Sequence, residues 1–318
     1  MLRPVDKIEV LTLMDNYVDL LLESTPVVTR PPKAKGGIIS KDTLIGEHGL
    51  SLLVTVFDGG EKHTILFDTG HTGIGVLHNA AHLEVDLGKI ETIVMSHRHM
   101  DHTGSLKPIL ERLGRPIPLV IHPDAFVPSR YLLLPDGKRL HFPDTLNRKE
   151  LEQAGVQIVE SRKPVPVAEG RILVTGEIER TTDFEKGLPN AYTEQDGELV
   201  KDPISDDQSL VMHLKGKGLV VISGCAHSGI INTLLYSRKI SGVDRLHAVL
   251  GGFHLSGPPF EPIIEETVES MRKMNPKVFV PMHCTGWKAV HRCEEAFPEA
   301  FVLNSVGSKI TLSSAPAV

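Results

Sequence analysis

Residues 97–102 read His-Arg-His-Met-Asp-His, so four potential metal donors fall within six positions. In an extended segment alternate side chains share a side, roughly 6–7 Å apart, so His97, His99 and Asp101 point together while His102 turns away. Two imidazoles on one ion, with Asp101 and His102 on a second, suit a centre whose two ions stand about 3.5–4 Å apart. Such donors accept one or two divalent ions, Zn foremost, with Fe, Mn or Mg as alternatives; donor type alone does not choose. The bland alternative is a histidine-rich surface loop. Against it, the apolar run ETIVM (91–95) leads straight into the cluster, and Thr103-Gly104 opens a helix directly after it. That context makes the string a site rather than a coincidence.

The elements that must hold this loop follow from apolar periodicity. Residues 8–14, 50–57 and 63–70 read as strands, the last two joined by a tight turn at DGGE. Residues 26–46 read as a Pro- and Gly-rich loop, 73–83 as a helix, and 117–122 as a strand. Residues 123–205 are irregular, with one helix near 147–154, and read as an insertion or lid. Strands at 209–214, 219–223, 245–252 and 277–283 then alternate with helices near 228–238, 261–274 and 286–296, and two closing strands end the chain. Early hairpins followed by strand–helix alternation predict an α/β fold: a single domain built as an αββα sandwich of two mixed sheets with helices outside. TIVMSHRHMDHTG and LVVISGCAHSG share a strand–loop–helix layout, a weak sign of two related halves.

Composition narrows the class. With 318 residues, 41% apolar and 23% charged, the chain is an ordinary globular protein with a sizeable core. A net charge of −6 without a dense basic cluster argues against nucleic acid as a partner. Three cysteines, an odd and sparse set, fit a reducing cytoplasm better than a disulfide scaffold. Acidic residues at 6, 9, 15 and 19 interrupt any leader, and no run reaches 18 apolar residues, so neither export nor a membrane span is expected. No GxSxG elbow is present, which disfavours a serine hydrolase.

HxHxDH after a short strand resembles the signature of the metallo-β-lactamase superfamily. FDTG (67–70), SGCAHSG (223–229) and PMHCTG (281–286) follow in the order that family implies. The resemblance makes His227 and His283 further metal ligands, and Asp68 the buttress of the metal loop. DNYV (15–18), EHGLS (47–51), HNAA (78–81) and GGFHL (251–255) narrow the resemblance to a subgroup named for dihydropterin-ribofuranosylaminobenzene 5′-phosphate synthase. That enzyme joins a dihydropterin methyl diphosphate to an aminobenzene ribotide and releases pyrophosphate. One departure stands out: where the family carries a bridging Asp in a GD pair, this chain has Gly224-Cys225. Either the bridge is absent or the Cys225 thiolate replaces it, and Asp206 and Asp207 are alternative carboxylates.

Other residues follow from the same reading. Asp101 would orient the attacking group. His254 would contact substrate or donate a proton, and His48 and Arg98 would contact substrate, with Arg180 and Lys186 as further phosphate contacts. Cys284 is a less favoured ligand, and Cys293 a structural residue. Three functions stay open: a metallohydrolase of a phosphorylated or ester-containing small molecule, a pterin-diphosphate-dependent transferase, and a non-catalytic metal or redox sensor. The expected partner is a small anionic molecule; oligomeric state is not legible.

Overall fold

The structure, a computed structural model, describes residues 2–315 apart from 40 and 128. Two mixed sheets face each other. In the larger, Glu61–Phe67, Thr92–Val94, Ile117–Ile121 and Val156–Glu160 run parallel in that order. On the other flank Ser51–Asp58, Lys7–Met14 and Lys309–Ser313 continue antiparallel. In the second sheet Ile172–Val174, Ser209–Leu214 and Gly218–Ser223 are antiparallel neighbours, and Leu246–Gly252 and Val278–Met282 then add in parallel.

Alternation within strands splits the core into three layers. In the strand Gly218–Ser223, Val220 and Ile222 face the opposite sheet, with Ile8, Val10, Val54 and Leu250 among their neighbours in that layer. Leu219 and Val221 face outward, onto the layer that buries Ile230, Leu234, Val268 and Met271. Those four residues come from the helices Ile230–Ser241 and Ile264–Met274. On the far side Leu13, Leu66 and Ile93 pack with Val76, Ile109 and Leu110 of the helices Gly75–His82 and Leu106–Leu113. A strand covered on both faces must be apolar at every position, which is why these segments read as runs rather than alternations. The result is the expected αββα sandwich. Among the described residues no helix is long and apolar enough to cross a membrane.

Several expectations need correction. The segment 123–205 is not one insertion. Val156–Glu160 extends the larger sheet, and the hairpin Val165–Val167 with Ile172–Val174 joins the smaller one. Only Arg130–Leu133, Arg139–His141, Ala191–Gln195 and Glu198–Lys201 form a separate four-stranded sheet. The helix expected to open at Thr103-Gly104 begins at Leu106 and runs to Leu113, and a separate short helix, Met100–Thr103, forms inside the expected loop. The break between them sits at Gly104, whose backbone N–H donates to Gly70 O at 2.8 Å, and where a Cβ would fall 1.6 Å from His71 O. One closing strand, Lys309–Ser313, replaces the two expected; Phe301 makes only an isolated bridge to Phe279. Each sheet does repeat an antiparallel pair followed by parallel strands. The strand matching Thr92–Val94 in that scheme is Leu246–Gly252, however, not the Gly218–Ser223 that the sequence echo pairs with it.

Candidate metal centre

Donor side chains gather where strands from both sheets end. Asp68 follows Glu61–Phe67, the quartet follows Thr92–Val94, and Cys225 and His227 follow Gly218–Ser223. His254 follows Leu246–Gly252 and His283 follows Val278–Met282. Placing chemistry at the carboxyl ends of strands is a general property of α/β sheets.

Two groups form. His97, His99 and His227 offer nitrogens all within 4.8 Å of one another, and so do the donor atoms of Asp101, His102, Cys225 and His283. In the first group His97 Nε2 lies 3.0 Å from His99 Nδ1 and 3.2 Å from His227 Nε2. In the second, His102 Nε2 lies 3.1 Å from Cys225 Sγ and 3.2 Å from His283 Nε2, and Asp101 Oδ2 is 3.3 Å from His283 Nε2. The groups adjoin: the rings of His97 and His102 are 4.2 Å apart. Cys225 also groups with His227 and His254.

The electrostatics fit a cation. Burial and the neighbouring imidazoles hold His97 and His227 far below the usual histidine range, and burial brings His99 down to about 3. Three neutral rings thus bring ring nitrogens to 3.0–3.2 Å of one another, an arrangement that a metal ion would satisfy. In the second group burial opposes charge on Asp101, yet His102 and His283 draw its carboxyl well below the usual range. Burial likewise opposes charge on His102, and the carboxylates of Asp68 and Asp101 overcome it, raising that ring to about 9.

The partners of these rings set which nitrogen faces inward. His102 Nδ1–H donates to Asp68 Oδ2 at 2.7 Å. Ser96 Oγ donates to the same oxygen at 2.7 Å and accepts from His97 Nδ1 at 2.9 Å. Asn16 Oδ1 accepts from His283 Nδ1 at 3.0 Å, while Asp15 accepts the His283 backbone N–H at 2.9 Å. Each contact leaves Nε2 free for an ion, the usual way an outer hydrogen bond fixes a ligand's tautomer. Two more buried carboxylates hold the loops. Asp206 accepts the Arg98 N–H at 2.9 Å and takes two hydrogen bonds from the Arg130 guanidinium, and Asp207 accepts the Ser228 N–H at 2.8 Å.

The structure therefore brings Asp68, His97, His99, Asp101, His102, Cys225, His227 and His283 together. His254 stands beside them, its ring 4.3 Å from His227 and its buried Nδ1 without a partner. His48 Nε2 approaches Asp101 Oδ2 at 3.4 Å from the exposed side. Arg98 differs from its expected role: its side chain is buried and pairs with Asp144, tying the loop to the segment that follows the strand Arg139–His141 rather than facing a substrate. Phe142 strengthens that tie by stacking on His99, the ring centroids 4.5 Å apart. Asp206 and Asp207 serve Arg130 and the backbone and lie outside both donor groups. Arg180 reaches the carbonyl of Pro203, and Lys186 lines a cavity near His227. Cys284 Sγ sits 3.6 Å from the Cys225 carbonyl, outside both groups, and Cys293 is buried under the helices.

Sequence reasoning missed Asp15, Asn16 and Ser96. The DNYV string held the signal for the first two, but nothing local says that residues 15–16 meet residue 283.

Two cavities flank the groups. One, about 250 Å³, is lined by Phe184, Lys186, His227, His254 and Phe260. The other, about 220 Å³, is lined by Asn16, Tyr17, Met282, His283 and Trp287. A larger hollow of about 480 Å³, under Leu77, Ala80 and Leu113, has no histidine or cysteine in its wall, so size does not locate the chemistry.

Comparison with known proteins agrees with this geometry. A family model described as the metallo-beta-lactamase superfamily matches residues 46–283. The 7,8-dihydropterin-6-methyl-4-(β-D-ribofuranosyl)-aminobenzene-5′-phosphate synthase of Methanocaldococcus jannaschii is 36% identical over 264 residues, covering 80% of this chain and 86% of that one. The crystal structure of a metal-dependent hydrolase of the β-lactamase superfamily superposes with a TM-score of 0.71 at 26% identity, covering 96% of this chain and 100% of that one. A metallo-β-lactamase fold protein from Bacillus subtilis shares the fold, with a TM-score of 0.51 at 11% identity, covering 96% of this chain and 100% of that one.

Proposed function

The chain belongs to the metallo-β-lactamase superfamily, and on that premise we propose that it is a metal-dependent transferase that moves an organic group from a diphosphate-bearing small molecule to an aromatic amine. The observation that carries this reading is a pair of adjoining donor groups with a cavity at each end, which gives one reacting centre and two places for substrates. The 36% identity to the synthase supports it.

His97, His99 and His227 would hold one ion, and Asp101, His102, Cys225 and His283 a second; imidazole, carboxylate and thiolate donors together favour Zn. Divalent ions bound there supply positive charge that stabilises negative charge growing on a departing phosphate oxygen. In the reaction the C–O bond between the substrate's methylene carbon and its diphosphate breaks, and both electrons leave with pyrophosphate. The acceptor nitrogen forms the C–N bond with its lone pair and releases its proton to water. The chain's own residues hold the parts in place. Asp68, Ser96 and Asn16 keep the imidazoles aimed inward. The cavity at Phe184 and Phe260 takes the donor's organic portion, where His254 Nδ1 has a hydrogen bond to offer or accept. Lys186, exposed at its rim, meets the diphosphate charge.

A second reading, hydrolysis of a phosphorylated or ester-containing molecule, draws on the likeness to the solved metal-dependent hydrolase. It uses the same residues with water as acceptor, oriented by Asp101. The deciding experiment incubates the zinc-loaded protein with a dihydropterin methyl diphosphate, with and without an aminobenzene acceptor. Pyrophosphate release that requires the acceptor supports transfer. Release without it supports hydrolysis, and no release with Zn, Fe, Mn or Mg withdraws both readings for this substrate.

A further inference from the structure

The cavity on the His283 side has a wall that the donor groups do not explain. Trp287 is 76% exposed although it is the chain's single tryptophan, and Tyr17, also exposed, lines the same cavity. The helix Trp287–Ala296 buries Ala289 and Cys293, one turn apart, and Trp287 lies off that stripe. Packing of the helix therefore gives no reason for an indole here, and an exposed aromatic beside a cavity offers a face on which a flat ligand can stack.

Its position is also fixed. Gly286, which precedes it, has φ +80, and a Cβ there would fall 2.6 Å from the Ser256 side chain. The helix start is thus pressed against the loop that follows His254. Asn16, which also lines the cavity, is anchored by His283 Nδ1 and the His283 carbonyl. The floor, formed by Met282, Val290 and Leu303, is apolar.

A flat ring entering this cavity would meet Trp287, Tyr17 and His283 in its wall. We propose that Trp287 and Tyr17 form a stacking subsite for a planar aromatic amine, the second substrate of the transfer reaction; the identity of this occupant rests on the transferase reading above. About 220 Å³ accommodates one substituted benzene ring and does not need the opposite cavity to be vacated. Stacking on one exposed aromatic side chain is worth about tenfold in affinity.

The single indole makes the test direct. Tryptophan fluorescence of the zinc-loaded protein is titrated with 4-aminobenzoate and, separately, with its saturated analogue 4-aminocyclohexanecarboxylate, with free tryptophan as the optical control. Saturable quenching by the aromatic probe alone is the expected result. No saturable quenching, or equal quenching by the saturated analogue, overturns the subsite. Ligand-observed NMR then compares variants: Trp287→Ala should bind 4-aminobenzoate about tenfold more weakly, and Trp287→Phe should restore most of that loss. Unchanged binding in Trp287→Ala also overturns it. Because these readouts need no turnover, a saturable subsite in a protein whose pyrophosphate release ignores the acceptor would sink the transferase reading while leaving the subsite standing.

Discussion

The two donor groups differ in charge and in provenance. The first holds three neutral imidazoles, two from one loop and one from the loop opposite. The second mixes a carboxylate, two imidazoles and a thiol, and His283 in it depends on Asp15 and Asn16 for its position. Both groups join donors of the 97–102 loop to donors from the other sheet, but the trio spans 130 residues from His97 to His227 and the second group 181 from His102 to His283. Only the second group contains a carboxylate and a thiol, so the two would place ions in unequal fields and should respond differently to the same perturbation.

The strongest challenge to this contrast removes a donor from the trio. His97→Ala should cost more than about a hundredfold in activity and reduce bound metal in elemental analysis, since even outer partners of a ligand typically contribute 10–100-fold. The circular dichroism spectrum should stay native, because sheet and helix packing hold the fold. Unchanged metal content would remove His97 from the centre. Next, Asn16→Ala should weaken one ion by about 10–100-fold in chelator competition and leave the other unaffected; equal weakening of both would erase the distinction between the groups. Cys225→Ala should weaken the same ion by a comparable factor, about 10–100-fold, since it removes one donor while Asp101, His102 and His283 remain. A loss as large as that of His97→Ala would make the thiolate the principal donor.

The smallest effect concerns the fold beneath the trio. Glu185 accepts the backbone N–H groups of Ile231 and Asn232 at 2.8 Å each, which ties its segment to the helix that follows His227. Burial pushes its carboxyl up to about 7, above the usual value near 4.5. Between those two pH values the native state binds more protons than the unfolded one, so stability falls as pH rises across that window. Glu185→Gln should flatten this portion of the stability profile measured by denaturant titration. An unaltered slope would show that Glu185 does not titrate there.

How much of this was legible beforehand follows the same division. The quartet at 97–102 announces itself because its donors are neighbours in sequence. Central strands such as Gly218–Ser223 are legible because both faces are covered, so apolar residues run without interruption. Asp15 and Asn16 were readable only as part of a family string, since pairing with His283 spans 268 residues for the Asp15 hydrogen bond. Arg98 misled because a guanidinium beside a metal loop looks like an anion contact, and only tertiary structure reveals Asp144 against it. The segment 123–205 misled because short edge strands separated by Pro and Gly look irregular until the sheets they extend are present.

That 268-residue span has a consequence for how the protein is made. A ribosome delivers residues 15 and 16 well before residue 283. The trio has all its donors once His227 has emerged, whereas the other group waits for the strand Val278–Met282 to bring His283 to Asp15 and Asn16. Contacts of such long range form slowly. The three imidazoles can therefore meet only after His227 has been made, and the second group only after His283.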